Sequence, residues 1–338
     1  SATGLQAIRE QYDSAPLELH LEPFTEQDAA AHLADHLGNA RAAEVIDHYK
    51  TRGLRDLLTN PQTLDMIAKV ARDGALPDTK ARLFERSMAI LGSEHNDRKA
   101  AGQLDAQQVA DATGAAFAGL LLTGRGAISR KAQANVDDDA IPFAALSTLP
   151  DAARLEDVLG TRLFVAQAAD RFTYCHRRIA EFQAARWLSR HADTPRKRRR
   201  LLSLFHRCGM VPASLRGLHA WLAQDAHLAE AVIRTDPMGV IEYGDADTLD
   251  GPAARTLLDA LVHLAAERPR FLGMGPYALR GLARAELRDE LRARIVSQDS
   301  PVGLRLILLE AITGTDIALG LVPELSALLH DESLVYAI

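Results

Sequence analysis

A histidine at the change from a strand pattern to a helix pattern is the residue of this sequence best placed to do chemistry. In residues 171–175 aromatic side chains alternate with polar ones, which is the period of a half-buried strand. After His176 the apolar residues recur at helical spacing, so a helix is expected to begin near Arg177. Free backbone N–H groups at a helix start attract anions. His176 could therefore meet a phosphate or carboxylate there, although a packed, hydrogen-bonded histidine is the ordinary alternative.

Two other groups have side chains that bind metals. His32 and His36 are four residues apart, as in a two-histidine metal site, but the metalloprotease pattern needs a glutamate where this chain has Leu33. Three aspartates at 137–139 could bind a cation, yet hard-cation sites usually add further spaced oxygen ligands. A solvated helix face and a solvated loop or helix cap are the favoured interpretations, so no metal site is predicted.

The motifs of nucleotide hydrolysis are absent from the 338 residues. The sequence contains no G-x-x-x-x-G-K-[ST] phosphate loop, and no strand ends in the paired acidic residues that hold magnesium. This chain is therefore not expected to be an enzyme by that mechanism.

Composition favours a helical protein that does not coat nucleic acid. Hydrophobic residues make up 47% of the chain but aromatic ones only 5%, and the formal net charge is −6. Cys175 and Cys208 are too few for a disulfide framework or a cysteine zinc site. The longest apolar run, near residues 115–122, is far shorter than the roughly 20 residues that cross a bilayer. With no signal peptide visible, a cytoplasmic location without membrane contact is expected.

Local signals place the elements before the histidine. Thr25 and Asp28 form a T-x-x-D capping box for a helix that ends at Gly38. Pro61 suits the first turn of a later helix, because its missing N–H has no partner there anyway. Asp105 suits the N-cap of a helix through residue 122.

The apolar runs at 163–167 and 171–175 predict a β-hairpin directly before His176. The basic run at 196–200 follows Thr194 and Pro195. A block of like charges can contact nucleic acid, but a helix capped by Thr194, with arginine stems covering apolar surface, is favoured. Nucleic acid is therefore not the expected partner.

From about residue 211 the sequence changes to short leucine-rich helical patterns separated by Gly, Pro or Asp. The expected helices cover residues 215–222, 228–233, 257–266, 277–283, 287–296, 304–312 and 319–329. Their loose spacing is near that of HEAT or armadillo repeats. Such helices cannot bury their apolar faces singly, so they are expected to stack into an α-solenoid.

The segment around His176 resembles part of a known family. Residues 172–176, followed by 179–185, are similar to the end of the winged-helix segment in NACHT-type STAND NTPases, where an aromatic-x-aromatic-x-His strand precedes a helix reading x-E-F-x-A-A. The resemblance implies that His176 contacts the β-phosphate of bound ADP and helps hold a resting state. Residues 54–61, L-x-x-L-L-x-N-P, look like the helical domain of the same family. That likeness implies that Pro61 packs on the adenine ring, although Gln62 replaces the usual aliphatic residue.

The resemblance implies a mainly α fold in four parts. Residues 1–23 would be a remnant of the nucleotide-binding core, with a strand at 17–21, and 24–100 a helical domain. Residues 101–192 would be a winged helix with a small β-hairpin, and 193–338 a HEAT-like α-solenoid that acts as the sensor.

The implied function is that of a switch in bacterial defence or signalling. No cofactor is expected in this fragment; ADP or ATP with magnesium would belong to the full-length protein, with ADP held between the missing core and His176. The implied partners are a protein target on the repeats, the missing NTPase core and further copies of the chain on activation. Two alternatives stay open: a helical-repeat scaffold that binds protein and no nucleotide, and a DNA-binding winged-helix regulator.

Overall fold

The protein has a mainly α fold with one small four-stranded sheet. The computed structural model describes residues 24–51, 54–72, 74–93, 104–131, 139–168, 170–205, 210–267 and 279–328. The helices are α1 Glu26–Leu37, α2 Asn39–Thr51, α3 Pro61–Arg72, α4 Lys80–Ser93, α5 Ala106–Thr123, α6 Phe143–Leu146, α7 Leu155–Val158, α8 Arg177–His191, α9 Pro195–Ser203, α10 Arg216–Trp221, α11 Ala229–Thr235, α12 Pro237–Tyr243, α13 Gly251–Glu267, α14 Arg288–Val296, α15 Val302–Ile312, α16 Asp316–Leu319 and α17 Val322–Leu328. The strands are β1 Ala127–Ser129, β2 Ala140–Pro142, β3 Phe164–Ala168 and β4 Arg171–Tyr174. The core remnant and the strand expected within 1–23 lie outside the described residues.

The helix caps follow the local signals of the sequence. The Thr25 hydroxyl accepts a hydrogen bond from the Asp28 amide at 3.2 Å, and the Asp28 carboxylate accepts one from the Thr25 amide at 2.9 Å. This reciprocal pair confirms the capping box of α1. The helix ends at Gly38, whose φ of 81° lies in the range that glycine adopts without a steric cost. Pro61 is the first residue of α3, as predicted.

The sheet places the β3–β4 hairpin on one side of a central β1 strand. Its strand order is β2-β1-β4-β3, with β3 antiparallel to β4 and β4 antiparallel to β1. The hairpin is confirmed, with Phe164 opposite Tyr174. The parallel pairing of β2 with β1 was not predicted, because a strand of three residues carries no periodic signal.

Helices α5 and α8 form the central packing of residues 104–205. Gly114 of α5 lies against Trp187 of α8, and a Cβ atom at position 114 would stand 2.6 Å from the Trp187 Cβ. A side chain there would therefore force the two helices apart. The close crossing fixes α8, and with it the residue that precedes α8, relative to the rest of the protein.

The helices after residue 210 pack largely on near neighbours in the chain: α10 on α12, α11 on α13, and α15 on both α13 and α14. Most expected helices are present, but the described part of 277–283 contains only a short 3-10 turn, Arg280–Leu282. Gly281 in that turn approaches the backbone of the 3-10 turn Ala246–Thr248, and a Cβ atom on it would stand 2.2 Å from the Ala246 carbonyl oxygen. Helix α12 was not predicted, although Asp236 caps it and Pro237 begins it.

Three aromatic rings join the amino-terminal helices, the sheet-bearing region and the carboxy-terminal helices. Phe84 comes from α4, Phe182 from α8 and Trp221 from α10, and the three ring centroids are 4.9–5.8 Å apart. We call these three residues the aromatic joint. Asp245 adds a polar contact between the same ends, because its carboxylate accepts a hydrogen bond from the Ala81 amide in the first turn of α4 at 2.8 Å.

Asp245 is expected to make the protein less stable as pH rises. Burial raises the pKa of this carboxyl to about 6, although the bond from the Ala81 amide opposes the shift. The folded chain therefore binds this proton more tightly than the unfolded chain does. The resulting stability is fully present below the unfolded pKa of 3.8 and is lost as pH rises through about 6.

The variant Asp245→Asn keeps an acceptor for the Ala81 amide and removes the charge. We expect it to unfold at higher urea concentration than the wild type at about pH 8, by about 1–2 kcal/mol, and to show no difference at about pH 4. Urea midpoints across that pH range measure this, and the exposed Asp289→Asn serves as the control. A difference in stability between Asp245→Asn and wild type that is the same at all pH values would contradict the raised pKa of Asp245.

Candidate functional site

His176 is the N-cap residue of α8, and one residue, Cys175, separates it from the end of β4. Helix α8 begins at Arg177, which confirms the predicted strand-to-helix junction. The His176 backbone is extended, with φ −148° and ψ 121°, and its Nδ1 atom accepts a hydrogen bond from the Arg178 amide at 3.2 Å. The side chain therefore caps the helix whose free N–H groups were expected to attract an anion.

The imidazole of His176 is a neutral donor. Only 8% of the residue is exposed, and this burial, together with the Arg178 charge, lowers its pKa to about 4. Because Nδ1 accepts from the Arg178 amide, the proton of the neutral ring is on Nε2. That N–H group is buried and has no hydrogen-bond partner among the described residues. A buried donor without an acceptor destabilises the folded protein, and a hydrogen bond to an acceptor would remove that cost.

His176 lines a groove of about 580 Å³ between helices α3 and α4 and the β3–β4 hairpin. Its polar lining residues are Gln62, Asp65, Lys69, Ser87, Arg162, Cys175 and His176, and its apolar ones are Met66, Ile90, Leu91, Phe164, Val165 and Ala166. The groove has the size and mixed lining of small-molecule sites. His176 is thus among the residues that line a space shared with the amino-terminal helices.

The charges of the groove favour an anionic group. Lys69 and Arg162 supply two cationic side chains beside the His176 donor, against one carboxylate, Asp65. Burial raises the pKa of the Cys175 thiol to about 11, which keeps it protonated at neutral pH and disfavours it as a nucleophile.

Pro61 lies beside this groove and is not one of its lining residues. It is exposed at the start of α3, while Gln62 and Asp65 of the same helix line the groove. The structure thus brings the helix of Pro61 and His176 to one space. A contact of Pro61 with an adenine ring stays a prediction.

Arg177 and Glu181 are more than the ordinary helix pair that their spacing predicts. Arg177 Nε donates to Glu181 Oε1 at 2.9 Å, and its guanidinium also donates to the Ser214 carbonyl ahead of α10. Glu181 is 4% exposed, and its second oxygen, which has no hydrogen-bond partner in the described ranges, lies against Gly217 of α10. The pair connects α8 to α10, and sequence spacing gave no sign of that burial.

The remaining candidate residues contact other parts of the protein. His32 Nε2 lies 2.9 Å from Asp65 Oδ1, a residue that the sequence did not connect with the two histidines. Asp139 accepts a hydrogen bond from the Gly126 amide at 3.1 Å, and the other two aspartates of the triplet are outside the described residues. The basic run lies on α9, where Thr194 caps the helix and Lys197 pairs with Asp193 at 2.9 Å.

No protein-family model matches this chain, and no curated protein matches it. Among the residues that the structure describes, no helix has both the length and the apolar character needed to cross a bilayer. Any statement about function therefore rests on the groove and the side chains that line it.

Proposed function

We propose that this chain is the regulatory part of a NACHT-like STAND NTPase switch, in which His176 donates a hydrogen bond to a phosphate of bound ADP. The observation that carries the proposal is the buried Nε2–H group of His176, which lacks a partner in the described part of the chain and belongs to a groove-lining residue. A phosphate oxygen would supply the hydrogen-bond acceptor that this N–H group lacks.

The rest of the groove supports a nucleotide ligand. Lys69 and Arg162 can balance phosphate charge, while Met66, Ile90 and Phe164 offer apolar surface to a base or sugar. A neutral histidine suits this role because it donates one hydrogen bond at physiological pH without a change of protonation. Pro61 is proposed to meet the adenine ring at the α3 end.

The position of the groove suggests how the ligand would control the protein. Its walls come from α3 and α4 on one side and from the hairpin on the other, so a bound nucleotide would hold the two together. A ligand shifts such an equilibrium only by binding one arrangement more tightly than the other. In this proposal residues 101–192 act as a winged-helix clamp and 193–338 as a HEAT-like sensor. ADP favours the closed form, and a protein target on the helices after residue 210 favours opening, exchange for ATP and assembly of several copies.

Nucleotide hydrolysis and its magnesium ion belong, in this proposal, to a phosphate-loop core encoded before Ser1, and the whole protein acts in cytoplasmic defence or signalling. The first check is therefore the gene. A coding region before Ser1 that contains no glycine-rich phosphate loop would overturn the proposal.

The second check is ADP affinity, measured calorimetrically on the encoded protein with its preceding core. We expect His176→Ser to weaken ADP binding about 10- to 100-fold, the worth of one hydrogen bond to a charged group. Serine keeps the cap of α8 but is too short to place a donor where Nε2 stands. The exposed His227→Ala is the matched control and should bind ADP as the wild type does. Equal affinity in His176→Ser and wild type would remove the role of His176 and favour the helical scaffold without nucleotide.

A further inference from the structure

We propose that His32, His36 and Asp65 form a binding site for a divalent transition-metal ion of the Zn²⁺ type. The two histidines lie on one face of α1, and the aspartate comes from α3, which packs against it. Each of the three residues offers one ligand atom, and these atoms lie within 4.8 Å of one another. The proposal does not rest on the nucleotide proposed above, although Asp65 also lines the groove of His176.

The distances from Asp65 to the two histidines are close to those between ligands of a tetrahedral ion. Ligand atoms at about 2.0–2.1 Å from a tetrahedral Zn²⁺ ion are about 3.3 Å from each other. Asp65 Oδ1 lies 2.9 Å from His32 Nε2 and 3.6 Å from His36 Nε2, values on either side of that spacing. The two imidazole rings meet edge to face with their centroids 5.0 Å apart, and their ligand nitrogens lie within 4.8 Å of each other.

The donor set selects the class of ion. Two imidazoles and one carboxylate suit Zn²⁺ and its neighbours, whereas Ca²⁺ and Mg²⁺ take mainly oxygen ligands. The side chains of His32, His36 and Asp65 are 25%, 40% and 56% exposed, so an ion can enter from solvent. The fourth position of the ion would then be filled by water.

Arg72 at the end of α3 opposes the site in its metal-free form. Its Nη2 atom is 3.2 Å from His36 Nδ1 and 3.2 Å from the His36 carbonyl oxygen. Because a guanidinium only donates, His36 Nδ1 accepts, and the proton of the neutral ring is on Nε2, the atom nearest Asp65. Binding of an ion at Nε2 moves that proton to Nδ1, so no proton is released to solvent. Nδ1 can then no longer accept from Arg72, and the His36 carbonyl oxygen remains as the acceptor for the Arg72 guanidinium.

An ion at this position would link α1 to α3 through the side chains of His32 and Asp65, which are already joined by a hydrogen bond. Asp65 also lines the groove that contains His176, so the ion would fix one wall of that groove.

Metal titration of the chain, without an affinity tag and after chelator treatment, tests the proposal with Zn²⁺ alone and Co²⁺ alone as probes. We expect one Zn²⁺ per chain by calorimetry, and visible absorption bands of tetrahedral Co²⁺. His32→Ala and Asp65→Asn should each weaken Zn²⁺ binding at least about tenfold, as loss of a ligand or its charge does. Arg72→Ala should strengthen it, because the competing donor is removed.

The control is His263→Ala, which removes an exposed histidine of α13 and should leave Zn²⁺ binding unchanged. All four substitutions are at partly or fully exposed side chains, so the fold is expected to survive, as far-UV circular dichroism would show. Failure to bind Zn²⁺ at micromolar concentration overturns the proposal, and so does binding that His32→Ala and Asp65→Asn leave unchanged.

Discussion

Replacing Trp221 with alanine is expected to lower the free energy of unfolding by about 3–5 kcal/mol, as removal of a buried large aromatic side chain does. Trp221 is only 2% exposed, and its ring centroid lies 4.9 Å from that of Phe182 and 5.6 Å from that of Phe84. Its two edge-to-face pairs add to the loss of buried area. The cavity would open at the aromatic joint, where α4, α8 and α10 meet, so packing would be lost between all three helices.

The companion variants separate packing from other effects of the substitution. Trp221→Phe keeps a ring in the joint and removes an indole N–H that is buried and has no partner within the described ranges. We expect it to cost only about 1 kcal/mol, because loss of that unsatisfied donor offsets part of the lost area. Leu319→Ala removes a side chain that is 74% exposed and should change stability by less than about 0.5 kcal/mol. Urea unfolding followed by far-UV circular dichroism gives all three values. A decrease of less than about 1 kcal/mol in the free energy of unfolding of Trp221→Ala would show that the aromatic joint does not stabilise the protein as proposed.

Four helix starts of this protein could be predicted because their signals are local. Thr25, Asp105 and Thr194 each accept a hydrogen bond from an amide three residues later, as the sequence indicated. Pro61 begins its helix for an equally local reason, since proline is tolerated in the first turn. A capping interaction joins residues three apart and needs no knowledge of tertiary structure.

Several of the features that were missed depend on residues distant in sequence. Asp65 is 33 positions from His32. Asp245 is 164 positions from Ala81, and its carboxylate accepts a hydrogen bond from the Ala81 amide. No spacing rule connects such pairs, because the packing of helices and not the local chain decides which residues meet. Glu181 shows the same limit, since its i,i+4 pair with Arg177 was evident while its burial was not.

One residue of the candidate site, His176, could be predicted from the sequence, but the residues that surround it could not. The change of period in the sequence identified His176 as a junction residue, and the structure places it on a groove. Its neutral state and the location of its proton follow from burial and from the Arg178 amide. Lys69 and Arg162, which give the groove its cationic character, lie on parts of the chain that carried no motif.

The substitution Gly217→Ala is expected to destabilise the wild-type protein strongly, but not the variant Glu181→Ala. In the wild type, a Cβ atom on Gly217 would stand 2.0 Å from Oε2 of Glu181 and 2.3 Å from its Cδ. The carboxylate cannot yield freely, because it is buried and paired with Arg177. We therefore expect Gly217→Ala to cost about 2–3 kcal/mol, as overpacking of a filled core does.

The variant Glu181→Ala removes the atoms that the new methyl group would strike. Position 217 lies in α10, and alanine is favoured over glycine in a helix by about 1 kcal/mol. In the Glu181→Ala background we therefore expect Gly217→Ala to be neutral or stabilising, so that the sign of its effect changes. Urea unfolding of the wild type, both single variants and the double variant measures this coupling. Equal costs of Gly217→Ala in the two backgrounds would show that Glu181 does not fill the space over Gly217.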